Sequence, residues 1–303
     1  MPELNSPVYP DGQWAYCVNW TANLAQTAHA AGLAGVWLKW SDGTTTAPYA
    51  ASWSAAADAL AQHGILCVPW LVVYPTDGWN PGWHQVAAAA VTAGEKYAKG
   101  HALLLEPVMN WWNGVQGTPQ NARLLFSALR GLTSVRPAFC CWGDPAELPH
   151  FPWPVWAGAC YGVLPEIYAG AYKVAPDVAY NRAFLGEAGQ GPGLEQLAPT
   201  CPVVPTFDLA YVPQYVKLAK AGGFRSIGWW SLEAIATDAA ALEALQVSPY
   251  HSATGAVATA TASTHPATQS TPWIPAATVP GGDVEIRADG SGGLQVLEPG
   301  ANG

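Results

Sequence analysis

The sequence predicts an α/β chain folded as a (β/α)8 TIM barrel, with a low-complexity C-terminal tail that ends in a small β-hairpin. Three observations carry this expectation. Strand-like and helix-like stretches alternate from Trp14 to Gln246, at intervals of about 25–35 residues, the size of a βα unit. Eight such strands and about eight helices fit in that span, as a parallel barrel requires. The competing doubly wound sheet expects a glycine-rich phosphate turn after its first strand, and Asn19-Trp20-Thr21 stands there instead.

The elements follow in order from local pattern. Trp14–Asn19 reads as the first strand, and the Ala-rich Leu24–Ala31 as a helix ended by Gly32. Gly35–Trp40 is the second strand, and Ser52 or Ser54 caps a helix that ends at Gly64. Ile65–Tyr74 is a third strand rich in Val and Leu, with a Pro/Gly loop at 75–81 and a helix over Trp83–Lys99. Ala102–Glu106 is the fourth strand, and the run Leu103–Leu105 marks it as buried on both faces. A helix over Pro119–Leu132 leads to the fifth strand, Pro137–Trp142, and a Pro-rich loop over Asp144–Pro154 with a short helical turn. Gly158–Tyr168 contains the sixth strand, Asp177–Ala188 is helical, and Val203–Asp208 is the seventh strand. Pro213–Ala221 is a helix ended by Gly222-Gly223, Ser226–Ser231 the eighth strand and Asp238–Leu245 the last helix. Residues 1–248 thus form the barrel domain. Residues 249–282 are an Ala/Thr/Ser/Pro-rich linker, and residues 283–303 a hairpin tail turning at Asp289–Gly293.

Composition narrows the function. Charged residues make up 11% of the chain, against roughly 25% in an average soluble domain. The net charge is −9 with no basic cluster, which argues against nucleic-acid partners and anionic membranes. No apolar run reaches the roughly 18–20 residues of a membrane span. Met1–Val8 lacks the basic and apolar parts of a Sec signal. The cysteines fall mostly in apolar, strand-like runs and read as buried thiols. No nucleophile elbow, Walker loop, zinc-protease motif or metal-spaced Cys pair occurs, so no cofactor and no metal are expected.

In a parallel barrel, chemistry gathers where strands end. Glu106 closes the fourth strand and is followed at once by Pro107, with Trp111 and Trp112 just beyond. A carboxyl can protonate a glycosidic oxygen, and flat indoles stack on sugar rings. Glycoside hydrolysis ordinarily needs a second carboxyl. Asp208 ranks first, Glu166 second and Glu233 third, because the seventh strand faces the fourth across a barrel. Trp40, Trp111, Trp112, Trp142, Tyr168, Trp229, Trp230 and Glu233 lie at strand tips and are candidate substrate contacts. Asp42, Asp77 and Asp144 read instead as caps or turn residues.

These residues carry a resemblance. Leu105-Glu106-Pro107 resembles the Asn-Glu-Pro acid/base motif of the large barrel glycosidase clan. Leu103–Gly114 is similar to the Asp-x-Glu strand of lysozyme-like and phage-associated glycoside-hydrolase barrels, and Leu164–Tyr168 to the Pro-Gln-x-Tyr of their sixth strand. Gly228–Leu232 is similar to their Trp-bearing eighth strand, so the likeness spans residues 14–246. Leu105 stands where the clan has Asn, Leu104 where the lysozyme-like families have their first Asp, and Asp208 where the clan has a nucleophilic Glu. The first strand carries no acid. The resemblance implies a protein that binds, and hydrolyses, a cell-wall or surface polysaccharide or peptidoglycan, with Glu106 as general acid/base. Its alternative is a catalytically silent barrel, a structural or carbohydrate-binding subunit whose residues 251–303 join copies or virion partners. Both readings imply a virion-associated or extracellular place, reached by assembly or lysis, and otherwise the cytoplasm.

Overall fold

The computed structural model describes residues 11–98, 103–112, 115–133, 136–142, 148–169, 173–179, 195–196, 200–202, 209–222, 224–251, 285–288 and 294–297. The chain divides into two units, Met1–Thr268 and Gln269–Gly303. The first is a nearly closed parallel barrel. Its strands are β1 (Gly12–Cys17), β2 (Leu33–Asp42), β3 (Leu66–Val73), β4 (Leu104–Pro107), β5 (Ala138–Trp142) and β6 (Gly162–Glu166), then β7 (Glu195–Gln196), β8 (Thr200–Pro202) and β9 (Ser226–Trp230). Neighbours pair in parallel from β1 round to β6, and β9 returns to β1. Seven of these are full strands. The remaining position is held by two short pieces, with β7 on the start of β6 and β8 joining the end of β6 to β9.

Alternation along each strand separates two apolar cores. Trp14, Tyr16, Trp37, Val68, Trp70, Val72, Leu104, Cys140 and Leu164 fill the barrel. Their neighbours Ala15, Cys17, Leu38, Cys67, Ile227 and Trp229 face the helices, where they meet Trp53, Leu60, Tyr215 and Leu245. Inside, the rings form a column. Trp14 stacks on Trp37 at 5.0 Å, Tyr16 lies 4.6 Å from Trp37, and Trp70 meets Tyr16 edge-on at 5.4 Å. Trp230 caps the column, 5.6 Å from Tyr16 and 5.7 Å from Trp70. Gly35 makes the column possible, because a Cβ there would stand 2.2 Å from the Trp14 ring.

Caps fix the helices that follow the strands. Asn80 accepts the Gly82 N–H and precedes Pro81–Tyr97; Thr118 accepts the Asn121 N–H and precedes Pro119–Arg130. In both, Pro fills the first turn, where its missing N–H costs nothing. Asp238 caps Ala239–Gln246. Several sequence expectations shift. The second helix begins at Tyr49 after Pro48, with no side-chain cap, so Ser52 and Ser54 lie inside it. The Pro-rich loop after β5 gives way to a helix at Trp153–Ala159, which tolerates Pro154 in its first turn. Strand structure precedes the expected seventh strand, whose Val203–Asp208 lies outside the described residues, as do most of 177–188 and the linker. Cys17, Cys67, Cys140, Cys141 and Cys160 are buried free thiols. No helix among the described residues is long and apolar enough to cross a membrane.

The second unit contains the antiparallel pair β10 (Glu285–Ala288) and β11 (Leu294–Leu297), in register from Glu285 opposite Leu297 to Ala288 opposite Leu294.

Candidate active site at the C-terminal mouth of the barrel

Period two sets the site. Glu106 is two residues past the inward Leu104, and Glu166 two past the inward Leu164, so both carboxyls enter the barrel at the C-terminal ends of β4 and β6. Cys140 of β5 lies between them, close enough for both carboxylates to act on its thiol. Burial first, and those two charges next, hold the thiol protonated well above its ordinary range.

The two carboxyls are half-buried. Burial pushes Glu106 up to about 7, and Asp42 raises it further; the Lys39 ammonium and the nearby Trp70 indole N–H pull it back. Trp70 lies close without completing a well-aligned hydrogen bond. Burial, then the charge of Glu106, pushes Glu166 up to about 8. Burial thus keeps both carboxyls able to hold a proton near neutral pH.

A polar network surrounds Glu106. Lys39 Nζ lies 3.2 Å from Asp42 Oδ2 and 5.5 Å from the Trp70 ring centre. The Tyr74 hydroxyl donates to Asp42 Oδ1 at 2.7 Å, and this bond, more than burial, raises the phenol to about 12. The Tyr74 N–H donates to Asp77 Oδ2 at 2.7 Å. Burial lifts Asp77 to about 6, although that N–H and His84 oppose it. The register of β2 on β3 shifts between Lys39 and Ser41, just before Asp42.

The candidates named from sequence therefore divide. Glu106 and Glu166 both act on Cys140, and Trp230 packs on Tyr16 and Trp70 of the aromatic column. Asp208 lies outside the described residues, and the side chain of Trp142 is likewise not described. Trp112 and Tyr168 are half-buried. The structure places the other four against neighbours within the fold. Trp229 is fully buried on the opposite strand face from Trp230, donating to Gln13 Oε1 at 3.3 Å. Trp111 is fully buried, its indole donating to the Val73 carbonyl at 3.0 Å and meeting Trp156 edge-on. Trp40 packs on the helix side, 5.3 Å from Trp53. Glu233 ties down the end of β1, where its Oε1 accepts the Val18 and Asn19 N–H groups at 2.7 Å each.

Sequence reasoning missed Trp70 and took Asp42 for a cap. Trp70 sits in an apolar run and looks like ordinary core. Asp42 acquires its partners across space, 32 residues away in the case of Tyr74. Asp77 does hold a turn, as expected. Among the described residues, no group of three His, Cys, Asp or Glu side chains is placed to hold a metal.

No protein-family model matches the chain, and no curated protein does. Solved structures do match it. The glycoside hydrolase domain of PgaB (BpsB) from Bordetella bronchiseptica is 12% identical, with a TM-score of 0.56 over 78% of this chain and 98% of that one. The spore cortex-lytic enzyme SleL from Bacillus cereus is 11% identical, with a TM-score of 0.52 over 78% of this chain and 74% of that one. A family 18 chitinase from Cycas revoluta, solved with (GlcNAc)4, is 11% identical, with a TM-score of 0.52 over 78% and 98%. The chain has a glycosidase-like barrel, and at these identities the likeness is one of fold.

Proposed function

We propose that the mouth of this barrel binds a cell-wall or surface polysaccharide built on N-acetylated amino sugars, and cleaves it with Glu106 as general acid. The observation that carries this is the paired, half-buried carboxyls of β4 and β6. A carboxyl poised near 7 keeps a transferable proton at neutral pH, which general-acid catalysis needs. Glu166, poised higher, retains its proton and leaves Glu106 to alternate between acid and base. The substrate class follows from the similar folds, which include a chitinase solved with an N-acetylglucosamine tetrasaccharide and a cortex-lytic enzyme. Family 18 enzymes depart from the two-carboxylate scheme because the substrate assists, so one competent acid suffices.

Glu106→Gln keeps the shape and removes the proton. It is expected to abolish reducing-end release from peptidoglycan sacculi and chitin oligosaccharides, a loss of at least about 100-fold, with an unchanged thermal melt. Undiminished release by this variant would refute Glu106 as the acid.

A second reading rests on Leu104. This residue is fully buried directly below Glu106 on the same strand face, so the strand itself gives the carboxyl an apolar neighbour. On that reading the barrel holds polysaccharide without cutting it, and residues 251–303 join copies or partners in a virion or extracellular assembly. Wild-type protein that is retained on sacculi, releases no sugar, and loses its oligomers in light scattering when residues 251–303 are removed favours this reading.

A further inference from the structure

We propose that Trp79 is an outer sugar platform, on which one pyranose of a polysaccharide chain stacks at the rim of the mouth. The proposal rests on the polysaccharide reading above and extends that site outward. Trp79 is 48% exposed, while every other tryptophan whose side chain is described is buried or half-buried. Single exposed apolar side chains are common on proteins, so exposure alone decides nothing. The mounting decides it.

Trp79 ends the short 3-10 turn Asp77–Trp79, in the loop that leaves the C-terminal end of β3. Parallel strands place that loop at the same end of the barrel as Glu106. The turn is held from several sides. Asp77 Oδ2 accepts the Tyr74 N–H at 2.7 Å, and the Gly78 carbonyl lies 2.9 Å from His84 Nε2. The Asn80 N–H donates to the Asp77 carbonyl at 3.1 Å, and Asn80 itself caps the following helix. Gly78 lies against the Pro119–Arg130 helix so closely that a Cβ would stand 2.4 Å from the Leu125 nitrogen.

The same turn is wired to the carboxyls. Asp77 holds Tyr74, Tyr74 holds Asp42, and Asp42 with Lys39 sets the charge around Glu106. The backbone that carries this exposed indole is thus tied to residues around Glu106. Its neighbours Thr76 and Asn80 are exposed and half-exposed polar residues, able to meet ring hydroxyls while the indole meets C–H faces. A pre-set platform binds without the ordering cost of a mobile loop.

The test uses the full chain carrying Glu106→Gln, so that polymer stays uncut, with insoluble chitin and peptidoglycan sacculi as probes. Adding Trp79→Ala is expected to weaken retention on polymer about tenfold, as loss of one partly buried indole face implies. Trp79→Phe is expected to restore most of it. In chains with intact Glu106, Trp79→Ala should cost far less on (GlcNAc)3 than on polymer, since a short oligosaccharide reaches the rim less. A thermal melt confirms folding, and Trp79→Gln serves as a second truncation. Equal retention with and without Trp79 overturns this inference and leaves the polysaccharide reading standing. Equal losses on trisaccharide and polymer overturn it too, by placing Trp79 in the inner site. A parent chain that holds no polymer and a wild type that cuts no trisaccharide overturn both.

Discussion

Glu106 owes its poise to opposed neighbours, and Lys39 is the adjustable one. The ammonium favours the charged carboxylate, so its removal should raise the carboxyl further. Lys39→Met is therefore expected to move the alkaline limb of the kcat/KM profile up by about half to one pH unit. A limb that stays put or moves down would show that Lys39 does not act on Glu106. Part of this residue-level picture was legible in the chain. A Glu closing an apolar run before Pro marks a strand tip without any structure. Parity along Gly228-Trp-Trp-Ser231 could also have warned that only one of two adjacent tryptophans can face the mouth. The Lys39–Asp42–Tyr74–Asp77 network was not legible, because strand pairing assembles it from separate segments.

At the scale of elements, the turn at Asp77–Trp79 and the helix Pro119–Arg130 fit by the absence of a side chain. Gly78→Ala would push a methyl group into the backbone at Leu124 and Leu125. We expect a loss of about 1–3 kcal/mol, typical of overpacking, visible as a lower thermal midpoint. A midpoint equal to wild type would mean that the turn yields easily. Strands were readable as apolar runs and helices as the stretches between them, while the caps Asn80 and Thr118 were not singled out. The expected seventh strand, Val203–Asp208, lies outside the described residues, and the pieces before it are two and three residues long, too short to show a period. The helix at Trp153–Ala159 hid behind its prolines, which suit a first turn as well as a loop.

For the whole molecule, the raised carboxyls make stability depend on pH. Glu106 and Glu166 have folded values of about 7 and 8 against an ordinary 4.5, and Asp77 about 6 against 3.8. The folded chain binds the extra protons between those limits. The stabilisation is thus complete below pH 4.5 and is lost as pH rises through 8. We expect stability to fall steadily between pH 5.5 and pH 8.5, and a flatter dependence in Glu166→Gln. A stability that rises across this range would contradict the buried pair. The aromatic column also governs proton traffic. The rings of Trp14, Trp37, Tyr16 and Trp70 fill the barrel below the carboxyls, which closes the lower end to proton exchange with water. A polymer lying across that mouth would seal the pair in the charge state it had on arrival. On the glycosidase reading proposed above, the proton that Glu106 donates would be loaded before the sugar lands.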